Sequence, residues 1–189
     1  AALATGEYAN FARALAWRDE SVERAPADPF TERTRLSCAP VEHLLDGAPA
    51  PELAARDTAG ERVALANLRG RVVLVVFFNL FADPELADAR AWETFRLAHA
   101  DDPFTILAVN AGPMDASGLV QRLARKGLAW RSLLVPDLQD ELLARWQVKR
   151  YPTTVVVDAD GVLRGRDRAW SELEPLLESL VRAAAARPR

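Results

Sequence analysis

Cysteine is all but missing from this chain: its 189 residues hold one, Cys38. A single thiol closes no internal disulfide and builds no cysteine-based metal site. Histidine is nearly as scarce, and His43 and His99 lie far apart in the sequence. No metal and no cofactor is therefore expected. A net charge of −3 excludes the strong basic field that nucleic acid or an anionic membrane surface would call for. No apolar run approaches the roughly 20 residues of a membrane span. The longest, VVLVVFF at 72–78, has the length of a strand. Lysine occurs only at 126 and 149, the other cations being arginine, a bias read as genome composition. The sole methionine is Met114, so the expectation is that something preceded Ala1, and the opening Ala-Ala-Leu-Ala is compatible with a trimmed precursor.

What is present is apolar and patterned. Half of the residues are hydrophobic, enough for a sizeable core. Residues 1–25 read as a helix, with Tyr8, Phe11, Leu15 and Val22 near helical spacing. Trp17 lies on that helix, whose apolar face must be buried against the domain or against another protein. Pro26 and Pro29 break it, and 36–47 reads as a short helix ending at Gly47. The stretch Ala48-Pro49-Ala50-Pro51 marks a boundary. It divides the chain into a helical N-terminal extension, 1–48, and a domain, 49–186.

Past the boundary, strand and helix alternate. Runs at 53–56 and 62–65 flank the turn Asp57-Thr58-Ala59-Gly60 and read as a hairpin. Residues 71–78 form a β-branched run ending in aromatics, the mark of a central strand covered on both faces. A helix follows over 83–100, with Leu86, Ala89, Trp92 and Phe95 on one face. Next come a strand at 104–109, a helix at 115–126 stopped by Gly127, a strand at 133–135 and a helix at 138–146. Residues 153–157 and 162–165 flank Asp158-Ala159-Asp160-Gly161 and read as an antiparallel hairpin. That tetrapeptide has only the start of a calcium loop, without the later Glu and the flanking helices. A helix over 170–186 closes the chain. The order predicts an α/β fold, a mixed β-sheet flanked by helices.

Two stretches, LANLRGRVVLVVFF (65–78) and WQVKRYPTTVVVDADGVL (146–163), together with the early hairpin, resemble thioredoxin-like proteins of the TlpA/ResA type, relatives of the alkyl hydroperoxide reductase/thiol-specific antioxidant group. The resemblance covers most of 50–180. In that family the central strand leads to an aromatic-rich turn and then Cys-x-x-Cys. The first Cys sits at a helix N-terminus, where the dipole and free N–H groups favour the thiolate. That thiolate attacks a disulfide and the second Cys resolves it. Here the matching residues are Ala82, Asp83, Pro84 and Glu85. Ala82 stands at the attacking position and Glu85 at the resolving one, and no cysteine occurs between 39 and 189. The site reads as degenerate, the motif Cys-x-x-Cys lost. Asp-Pro-Glu suits a helix start, with Asp as cap and Pro in the first turn. Capping accounts for Asp83 and Glu85 better than a working acid pair does.

The resemblance also implies that Pro152 is cis and that Tyr151-Pro152-Thr153, together with Phe81, borders a groove for an extended peptide. The function expected is that of a redox-inactive module binding a protein or peptide, in an extracytoplasmic bacterial setting, and not that of an active thiol–disulfide oxidoreductase. The alternative is an oxidoreductase or peroxidase-like enzyme working through Cys38, which otherwise reads as a small buried hydrophobe. His43 and His99 read as surface or helix-end residues. Trp92, Trp130, Trp146 and Trp170 read as core.

Overall fold

The structure is a computed structural model, and it describes residues 44, 46–82, 86 and 88–187. The expected helices at 1–25 and 36–43 lie outside the described residues, as do Trp17, Cys38 and His43. Two short strands, β1 (Ala54–Arg56) and β2 (Arg62–Ala64), pair antiparallel and lead into a 3-10 turn at Leu65–Leu68. The main elements follow: β3 (Val72–Phe78), α1 (Ala89–Ala98), β4 (Phe104–Ala111), α2 (Ala116–Arg125), β5 (Arg131–Val135), α3 (Glu141–Arg145), β6 (Thr153–Val157), β7 (Leu163–Arg166) and α4 (Trp170–Ala185). The five-stranded sheet runs β5-β4-β3-β6-β7. Strands β3, β4 and β5 are parallel, and β6 and β7 are antiparallel to their neighbours.

Every residue of β3 is buried. Its even-numbered side chains join Trp92 and Phe95 of α1, Leu119 and Leu123 of α2, and Leu173, Leu177 and Val181 of α4. Its odd-numbered side chains join Leu143 and Trp146 at α3, Leu53 and Val63 at the hairpin, and Leu65. A strand apolar on both faces needs a layer on each, and the chain supplies them.

Both exposed sheet edges are covered. At β5, the Asp57 backbone bridges Leu133, and Arg131 Nε donates to Asp57 Oδ2 at 2.9 Å. Burial raises the Asp57 pKa, but Arg131 and the N–H groups of Glu61 and Ala59 outweigh it and hold the carboxyl below its ordinary value. At β7, Gly47 N–H donates to Leu163 O and Leu163 N–H donates to Ala48 O. Such cover removes an open template for strand pairing.

Three element starts differ from the sequence expectation by more than one residue. The helix expected from 83 begins at Ala89. Leu86 has φ +49°, a left-handed conformation that cannot continue an α-helix. Its side chain is buried in the core, which offsets the backbone cost of about 1–3 kcal/mol. Strand β5 begins at Arg131 and not at 133, because pairing with β4 extends to Leu107↔Arg131. Helix α3 begins at Glu141 and not at 138, where Asp140 Oδ1 accepts the Leu142 N–H.

His99 stands at the C-terminal end of α1, with its ring against Phe95 at 4.2 Å between centroids. It is more enclosed than a surface residue. Nδ1 lies 2.8 Å from Asp102 Oδ2, and Nε2 lies 3.2 Å from Glu178 Oε1 on α4. Burial lowers the His99 pKa, but the bonds and charges of Asp102 and Glu178 outweigh it, and the net shift is upward. A group whose folded pKa is raised adds stability below its unfolded value of about 6.5 and loses that contribution as pH rises through the folded value. Thermal unfolding of wild type beside His99→Gln should show the largest gap near about pH 5.5, closing as the pH is taken toward about 9. A gap that widens with pH would contradict this assignment.

Candidate functional site

The C-terminal end of β3 opens onto the residues that the sequence singles out. Asn79 follows Phe78 directly, and only 6% of it is exposed. Its Oδ1 accepts the N–H of Phe81 at 2.8 Å and of Ala82 at 3.2 Å, while its carbonyl also accepts from Ala82 at 3.1 Å. This is an Asx turn, a side chain standing in for backbone. It buries Leu80 and turns Phe81 outward to 61% exposure. The Arg122 guanidinium from α2 lies 5.6 Å from the centre of the Phe81 ring, within cation–π range.

The other side of Asn79 meets Gly112, just past the end of β4. A Cβ at Gly112 would stand 3.1 Å from Asn79 Nδ2, and Gly112 has φ +133°, a conformation open to glycine and strained for other residues. Buried Asn110 donates from Nδ2 to Gly112 O at 3.3 Å. Sequence reasoning missed Asn79 and Asn110. The available signal was an amide placed directly after an all-apolar strand, which is where turns need a local acceptor.

Antiparallel pairing of β3 with β6 sets Phe77 opposite Thr153. The 79–82 turn and the Tyr151-Pro152-Thr153 loop therefore share one end of the sheet. The Tyr151–Pro152 peptide is cis. Thr153 is buried, with Oγ1 donating to Arg150 O at 2.9 Å. Asp167 braces this loop: Oδ1 accepts the Thr154 N–H at 2.9 Å, and Oδ2 lies 3.2 Å from Arg150 Nη2. Burial raises the Tyr151 pKa, so the phenol stays neutral and able to donate at physiological pH.

Of the residues expected at the site, Phe81, Ala82, Tyr151, Pro152 and Thr153 come to this sheet end. Asp83, Pro84, Glu85 and Cys38 lie outside the described residues. The helix that follows begins at Ala89, after left-handed Leu86, and the expectation that Asp83, Pro84 and Glu85 open a helix lies outside the described residues. The residue that precedes α1 is Asp88, and its side chain makes no capping bond. Among the described residues, no three His, Cys, Asp or Glu side chains gather as a metal site, and no helix is long and apolar enough to cross a membrane.

The model of the AhpC/TSA family matches residues 47–166. The chain belongs to the AhpC/TSA family. It is 27% identical over 123 residues to the thioredoxin-like protein YneN of Bacillus subtilis, which covers 64% of this chain and 70% of that protein. It is also 27% identical over 136 residues to the thiol-disulfide oxidoreductase ResA of Geobacillus kaustophilus, covering 71% of each. Among solved structures, the thioredoxin domain of a thiol-disulfide oxidoreductase from Bacteroides vulgatus aligns with a TM-score of 0.65 at 21% identity, over 72% of this chain and 98% of that one. The C-terminal domain of a putative thiol-disulfide oxidoreductase from Bacteroides thetaiotaomicron gives 0.67 at 15% identity, over 74% and 97%. These likenesses show the thioredoxin-like fold. The AhpC/TSA segment of this chain, 47–166, contains no cysteine.

Asn79→Ala should lower stability to urea by about 1 kcal/mol, since the Phe81 N–H loses its acceptor. Gly112→Ala should lower it further, through backbone strain and the contact with Asn79 Nδ2. A neutral result for both would show that the turn does not depend on Asn79.

Proposed function

We propose that this AhpC/TSA-family chain is a redox-inactive thioredoxin-like module that binds an extended polypeptide where the 79–82 turn meets the 151–153 loop. The observation that carries this reading is chemical. Thiol–disulfide exchange needs a thiolate to attack and a second thiol to resolve the mixed disulfide. Ala82, at the position that the resemblance gives the attacking cysteine, has no nucleophile. A carboxylate at Glu85 cannot exchange with a disulfide. The whole matched segment offers no substitute thiol.

The recognition surface is what remains when the chemistry is removed. Exposed Phe81 supplies apolar area, and half-buried Tyr151 supplies a neutral donor at the same sheet end. Both suit a bound backbone with alternating side chains. In this reading, 1–48 is an extension to the domain 49–186, and the module works outside the cytoplasm, as the resemblance to the TlpA/ResA type implies.

Reduction of insulin by dithiothreitol and consumption of hydrogen peroxide should both run at background with the wild type and with Cys38→Ser. An active wild type and an inactive Cys38→Ser would replace this reading with an enzyme that works through Cys38. For the binding half, Tyr151→Ala combined with Asp83→Arg should lose the native partners that the wild type captures. Unchanged recovery would remove this sheet end as the binding surface.

A further inference from the structure

Beside the 79–82 turn lies a depression of about 290 Å³ lined by Leu80, Arg122, Arg125 and Lys126. Three of its four lining residues are cations from the last turn of α2 and the residue after it. The helix dipole accounts for cations at this end. It does not account for the aromatic ring they flank, which an Asx turn holds in solvent under the Arg122 guanidinium. Arg122 and Arg125 pair with no carboxylate among the described residues. These two guanidinium groups, without a carboxylate partner among the described residues, and an exposed ring form one patch at the sheet end assigned above to polypeptide binding. The chain as a whole is acidic, so this patch is a local reversal of sign, the pattern that selects partners and sets register.

We propose that the α2 patch receives an acidic stretch of the bound polypeptide, its carboxylates on Arg122 and Arg125 and an adjacent aromatic or aliphatic side chain on Phe81. Guanidinium groups suit this role because their fixed fork of donors matches a carboxylate in two-point contact. The inference rests on the peptide-binding reading and adds the chemical class of the ligand and the residues that recognise it.

The test uses three fluorescein-labelled peptides of equal length, each with a central Phe: one flanked by Glu, one by Lys and one by Ser and Gly. Fluorescence anisotropy is followed on the full chain. The wild type should bind the Glu peptide most tightly, with affinity falling as salt rises. Arg122→Glu with Arg125→Glu should weaken the Glu peptide by at least about 10-fold and strengthen the Lys peptide, since reversing two partly exposed pairs changes attraction to repulsion. Phe81→Ala should weaken all three. The gain for the Lys peptide guards against misfolding as the cause of the loss.

If charge reversal leaves the Glu peptide unaffected while Tyr151→Ala weakens it, the patch is not the acid-recognition element and the peptide-binding reading stands. If the wild type binds no peptide, the patch inference falls, and the partner-capture comparison above decides the broader reading by itself. Co-sedimentation with phosphatidylglycerol vesicles in place of peptide binding would overturn the inference in favour of a lipid surface.

Discussion

Strand β3 has to be dry on both faces, and most of the architecture answers that requirement. Seven consecutive apolar residues cannot be covered by a single layer. Their alternate side chains build two separate cores, one with α1, α2 and α4 and one with α3, the 3-10 turn and the β1–β2 hairpin. Burying each such side chain contributes about 1.5–3 kcal/mol, so no arrangement that exposes either face competes. The same constraint places the site. A strand buried on both sides can present its neighbours to solvent only at its ends, and exposed Phe81 stands just past the end of β3.

Polar side chains then determine how the chain leaves those buried strands. Asn79, Asp57 and Asp158 are each buried at a strand end or hairpin turn, and each accepts N–H groups from residues two to four positions on. Such a side chain satisfies donors that would otherwise be stranded near the core. The second oxygens of the two aspartates bind Arg131 and Arg164, which removes the penalty of burying a charge alone. Asn79 has no charge to neutralise, and its Nδ2 instead packs on Gly112. This neutral form fits a close approach just past the ends of β3 and β4.

Seen against the thiol chemistry of relatives such as ResA, the proposed loss of function is local. The strand that would deliver an attacking group, the loop opposite it and the helix layer behind are all present, and in the proposed reading Ala82 and Glu85 stand where the two thiols would be. A scaffold of this kind retains shape and polarity when its reactive atoms are gone, which is why binding is the reading that survives. In the proposed reading, the cations of α2 and the ring of Phe81 give that retained surface a preference for acidic polypeptide.

The strands, the two Asp-x-x-Gly turns and the closing helix were legible in the sequence because each depends on short-range periodicity or on turn chemistry. So was the lack of a thiol in 47–166, which needs only a count. The start of α1 was not legible. Leu86 stands before that start in a left-handed conformation, and its burial rests on contacts distant in sequence. Local pattern likewise gave no hint that β5 would run back to Arg131, since its pairing with β4 decides that. The contact of Asn79 with Gly112, the bridge from His99 to Glu178 and the meeting of Phe81 with Arg122 join residues 33 to 79 positions apart. Sequence determined which segments must be buried and which chemistry was excluded. Only the packing of those segments decided which polar and aromatic groups would face each other at the end of β3, because that choice is made by contacts between elements and not within them.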